Sequence, residues 1–107
     1  MKSLLLALVA LLILVSPSWA QSYPSPVGYV NDFASLYSSS FGTSLNTQLQ
    51  QLDTNSSIQF VVVTIKSLEG VSIEEYALKL FEQWAVGQKD KDNGLLLLIS
   101  QDDRTLR

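Results

Sequence analysis

The chain contains neither histidine nor cysteine. Without histidine, Ser-His-Asp and Cys-His catalysis, histidine-phosphatase chemistry and His-ligated zinc are excluded within these residues. Without cysteine no disulfide staples the fold, and the apolar core alone must hold it. Chemistry is left to carboxylates, hydroxyls, amides and Lys or Arg, a ligand set that suits hard cations such as calcium or magnesium. Positive charge is also scarce, with seven Lys and Arg against ten Asp and Glu. That balance argues against nucleic acid as a partner.

What remains describes one small domain: 107 residues, 47% hydrophobic and 16% charged. Lys2 is followed by an apolar run from Leu4 to Val15, then Ser16-Pro17 and small residues at Ser18 and Ala20. This pattern predicts a secretory signal peptide over residues 1–20, cleaved after Ala20. The run of about twelve apolar residues is short of the roughly 20 that span a bilayer. Setting Lys2 aside with this leader leaves six basic and ten acidic residues, a net charge of −4.

Residues 21–28, "QSYPSPVG", carry two prolines and no apolar period, which predicts an extended leader into the domain. Phe41, Leu45, Leu49 and Leu52 recur at helical spacing and predict a helix over about 40–53. "IQFVVVTI" at 58–65 is apolar at nearly every position, as expected of a strand buried on both faces. Ser72 and Glu75 stand in capping-box spacing ahead of Ile73, Tyr76, Ala77, Leu80, Phe81 and Trp84, which predicts a helix over 72–86 stopped by Gly87. Asn93-Gly94 then predicts a tight turn, and "LLLLI" at 95–99 a second buried strand. Strand, helix, strand is the βαβ pattern, so 58–65 and 95–99 should lie parallel in an α/β fold.

Ligands in open α/β sheets sit beyond the carboxyl ends of the strands. Those ends are Thr64 to Ser67 and Ser100 to Arg104, and the chain ahead of the first helix should return to the same edge. Asp32, Asp102 and Asp103 can therefore converge there, carboxylates of the kind that suit a hard metal cation. Asp90 and Asp92 precede the second strand and lie roughly 30 Å from Asp102, so one site cannot hold both acidic clusters. For Asp92-Asn93-Gly94 a plain turn is favoured over a functional role. Asp102-Asp103-Arg104 reads equally as a hairpin turn with a local ion pair or as a ligand site, and Asp32 equally as a chain anchor. Lys89 and Lys91, alternating with Asp90 and Asp92, predict a solvated loop. Trp84, Tyr76 and Phe81 follow the apolar stripe and are expected in the core.

The ordered stretches "YVNDFASLY" (29–37), S-I-E-E-Y-A, W-x-x-G-x-K and D-N-G-L-L-L resemble the TPM domain, a family of exported bacterial and thylakoid-lumen proteins. The resemblance covers nearly all of 29–107. It implies a Rossmann-like α/β/α sandwich with a mainly parallel sheet, of which this chain holds the N-terminal part, truncated on its C-terminal side. Relatives continue past the position of Arg107 and often add a C-terminal transmembrane helix or Gly-rich tail, so a full-length protein anchored in a membrane is implied. Two parallel strands and whatever begins at Thr105 are too few for a stable sheet, and residues 21–107 alone are expected to fold poorly. The resemblance also implies one of three functional states. The preferred one is an exported calcium- or magnesium-binding interaction domain that docks a protein partner during assembly, repair or quality control of membrane complexes, in the periplasm, a lumen or outside the cell. The others are a metal-dependent acid phosphatase-like hydrolase and a truncated fragment without function.

Overall fold

The structure is a computed structural model that describes residues 22–87 and 92–107. The predicted signal peptide over 1–20 and the Lys89–Asp90–Lys91 stretch lie outside the described residues. The elements run β1 (Val30–Asp32), α1 (Ser39–Ser56), β2 (Gln59–Ile65), α2 (Ile73–Gln83), β3 (Gly94–Ser100) and β4 (Thr105–Leu106). They form one four-stranded sheet in the order β1-β2-β3-β4, parallel except for the antiparallel β3–β4 pair. The fold class is α/β, as expected, and the sheet holds two strands beyond the predicted pair. Among the described residues no helix is long and apolar enough to cross a membrane.

Register assigns the side chains to faces. Val63 pairs with Leu98 and Ile65 with Ser100, so these four point to one face. There Val63, Ile65 and Leu98 close on Tyr76 and Leu80 of α2 and on Leu68, which is the core. Val30, Val62 and Thr64 point the other way, toward α1. Helix α1 packs on β1 and β2, and α2 on β3. The expectation that both central strands are buried on both faces therefore holds for β2, buried from Val61 to Ile65, and fails for β3. Leu95, Leu97 and Ile99 point to the α1 side beyond that helix's reach, and Leu95 is 52% exposed.

Helix starts follow the sequence: Ser38 Oγ accepts from the Phe41 N–H at 3.2 Å, and Ser72 Oγ from the Glu75 N–H at 3.2 Å. Helix ends do not. Helix α2 stops at Gln83, and the left-handed position of its cap is Ala85, with φ 49°, while Gly87, with φ 88°, follows two residues later. The Ala85 N–H donates to Glu82 O and the Val86 N–H to Phe81 O, the bond pair of a Schellman cap. Likewise the positive φ ahead of β3 belongs to Asp92, at 47°, while Gly94 opens the strand itself. Gly94 is required by space, because a Cβ there would stand 2.5 Å from Val86 O.

Residues 22–28 form no helix or strand and are docked on the domain. The Tyr23 ring meets Tyr76 edge-on at a centroid distance of 4.8 Å, and Trp84 Nε1 donates to Pro24 O at 3.0 Å. Asn31, fully buried, accepts from the Val27 and Gly28 N–H groups and donates to Gly28 O and Val62 O. Asn46 of α1 accepts from the Tyr29 and Val30 N–H groups, and Tyr29 Oη donates to Asp53 at 2.6 Å.

Candidate functional site

The carboxyl ends of β1, β2 and β3 bring Asp32, Thr64 and Ser100 to one edge of the sheet. Asp32 closes the turn that follows it. Its Oδ1 accepts from the Leu36 N–H at 2.9 Å and from Thr64 Oγ1 at 2.6 Å, and its Oδ2 accepts from the Tyr37 N–H at 2.9 Å. Partial desolvation opposes ionisation of this carboxyl, but the three donors, Thr64 foremost, outweigh it and hold its pKa below the ordinary aspartate value. Thr64 is fully buried, and its hydroxyl also accepts from the Ala34 N–H at 3.1 Å.

Asp103 is held independently. Its Oδ2 accepts from Ser100 Oγ at 2.7 Å and from the Leu68 N–H at 2.9 Å. The Ser100 hydroxyl, then the Leu68 amide, lower its pKa against a small desolvation. The carboxylate thus braces the β3–β4 turn against the loop after β2, through a hydroxyl and an amide. Asp102 is exposed; its backbone N–H donates to Lys66 O at 2.8 Å.

The three predicted metal ligands share this edge without gathering. Asp32 is bonded to Thr64, which points to the α1 face, and Asp103 to Ser100, which points to the α2 face. The two carboxylates are thus anchored through residues on opposite faces of the sheet. Among the described residues no group of three or more acidic side chains is arranged to hold a metal ion. Of the two hydroxyls after β2, that of Thr64 donates to Asp32, and Ser67 Oγ accepts from the Glu69 N–H at 3.0 Å.

Two surface features border this framework. Asp32 lines an open cleft of about 510 Å³ with Val27, Ser35, Tyr37, Ser39 and Thr43 among its walls. Tyr37 continues the rim to Phe41, whose ring is tilted 50° against it at a centroid distance of 5.2 Å, and Phe41 is 52% exposed. On the α2 side, Ala77, Leu78, Phe81 and Leu96 line a groove of about 460 Å³ with Glu74 and Arg107 at its margins. The cleft escaped sequence reading because its walls come from a three-residue strand and the first turns of α1. The Ser-rich start of α1 and the aromatic pair at 37 and 41 were the available signals.

The model of the TPM-domain family matches residues 30–107. A solution NMR structure of the N-terminal domain of a protein from P. gingivalis is 35% identical, with a TM-score of 0.67, over 74% of this chain and 50% of that one. The chain therefore spans half the length of that structure. No curated protein matches the sequence.

Proposed function

The chain belongs to the TPM-domain family, and on that premise we propose that it is an interaction module that docks a protein partner at the edge beyond the carboxyl ends of β1, β2 and β3. One observation carries this reading: the two ordered carboxylates of that edge are engaged as acceptors by the chain's own hydroxyls and amides. Such groups are weak bases and weak nucleophiles, because each donor stabilises the anion that would have to attack or take a proton. They do supply fixed negative charge on a rigid scaffold, which suits recognition.

The setting for this role is export to the face of a membrane, where a docked complex is assembled or repaired. The calcium or magnesium ion expected at this edge would have to be held at Asp32 or at the Asp102–Asp103 turn separately, with waters completing its shell. Metal-dependent phosphatase chemistry is disfavoured by the same engaged carboxylates.

The test is phosphate release from p-nitrophenyl phosphate by the full-length protein, with calcium or magnesium present, between pH 4 and 8. The expected result is release no faster than buffer. Metal-dependent release that disappears in Asp102→Asn and Asp103→Asn would replace this reading with a hydrolase. A photo-crosslinking residue at Ser35 or Gln101 is expected to capture a defined protein in the native envelope, whereas one at Lys79, on α2, is not.

A further inference from the structure

The Asp32 cleft carries one formal charge on its walls, and that charge is negative. No lysine or arginine occurs between residues 21 and 65, a segment that supplies β1, α1 and β2. The negative charge is therefore left uncompensated by its own half of the domain. The carboxylate is also pre-aimed: Oδ1 accepts twice and Oδ2 once, which leaves Oδ2 a free acceptor direction. Beside it the tilted Tyr37–Phe41 pair offers exposed aromatic surface, and Ser35, Ser39 and Thr43 offer hydroxyls.

A carboxylate next to an aromatic surface recognises a guanidinium or ammonium group, one part through a charge-assisted hydrogen bond and the other through cation–π contact. An anionic ligand would meet Asp32 with no basic side chain to offset it. A divalent ion would find a single carboxylate here and would draw most of its six to eight oxygens from water. We propose that this cleft receives an arginine or lysine side chain of the protein partner. This rests on the reading of the domain as an interaction module, and it names the chemistry of the partner segment.

The test uses the full-length protein, ¹⁵N-labelled, and an unstructured Gly-Ser peptide bearing three spaced arginines. The same peptide with citrulline in place of arginine keeps the shape and loses the charge. The arginine peptide is expected to shift the amides of Leu36, Tyr37 and Thr43 and to bind at least about tenfold more tightly than the citrulline peptide. Thr43→Lys places a cation on the exposed wall while leaving every hydrogen bond of Asp32 in place, so it should cut binding about tenfold without moving the thermal midpoint. Phe41→Ala should weaken arginine binding severalfold.

Equal binding of the two peptides, indifference to Thr43→Lys, no binding at all, or shifts that gather at Asp102 and Asp103 would each overturn the proposal. Calcium chloride or magnesium chloride alone, shifting the same three amides and displacing the peptide one for one, would overturn it as well and assign the cleft to a metal ion. Crosslinks at Ser35 or Gln101 that persist while the arginine peptide fails would leave the interaction module standing and remove only its basic ligand.

Discussion

Thr64 Oγ1 donates to Asp32 Oδ1 at 2.6 Å and accepts from the Ala34 N–H at 3.1 Å, so one fully buried hydroxyl fixes both the carboxylate and the turn beneath it. Thr64→Val keeps the shape and removes both bonds. The cost is expected at about 2 kcal/mol, because the Ala34 N–H is left buried without an acceptor. Denaturant unfolding reads that loss. A carboxyl carbon titration of Asp32 should move up toward the ordinary aspartate range, and no upward movement would show that Thr64 does not control this group.

Asp103 gives the acid dependence of the fold. Its folded pKa lies below the ordinary aspartate value of 3.8, so its contribution to stability is present above that value and is lost as pH falls through the folded pKa. Asp32 acts in the same direction. Thermal midpoints should therefore fall steeply below about pH 4. Asp103→Asn should have a lower midpoint at neutral pH and a shallower fall in acid. Parallel curves for the two proteins would remove Asp103 from the account.

Ala85 occupies a left-handed position at the end of α2, where a Cβ is strained and glycine is not. Ala85→Gly is expected to stabilise the domain by about 0.5–1 kcal/mol, net of the entropy that glycine adds to the unfolded chain. Gly94→Ala acts oppositely: its Cβ would meet backbone atoms of Val86 and Gly87, and a loss of about 2 kcal/mol is expected. Chemical denaturation of the two variants checks the pair.

The segment before β1 is tested through Trp84. Trp84→Phe removes the bond to Pro24 O and should cost about 1 kcal/mol. Tyr23→Ala removes the ring from Tyr76 and should cost about 1–2 kcal/mol. Amide hydrogen exchange in residues 23–28 should accelerate in both variants, and protection equal to the parent would mean that the contacts do not hold the segment.

The βαβ unit was legible because its signals are long and local. Val61 to Ile65 and Leu95 to Ile99 are unbroken apolar runs, and Ser72 with Glu75 marks the helix start between them. Strand β1 was not legible, since three residues, two of them polar, give no period. Its buried position is filled by Asn31, whose amide is consumed by four hydrogen bonds, three to Val27 and Gly28 and one to Val62 across the sheet. The site was half legible. Topology correctly sent Asp32 and Asp103 to one edge, but their faces depend on register, and a shift of one residue from Thr64 to Ile65 reverses the face. That is a pairing property, absent from either strand alone.

The Asn46 contact with β1 bears on self-association. The Val62 N–H donates to Tyr29 O and the Phe33 N–H to Thr64 O, so the odd residues of β1 face β2 and the even ones face outward. Of those outward groups, the Val30 N–H is taken by Asn46 and Asp32 O by the Ser35 N–H. With these two groups engaged inside the chain, the β1 margin offers a poorer template for a further strand than a bare edge would.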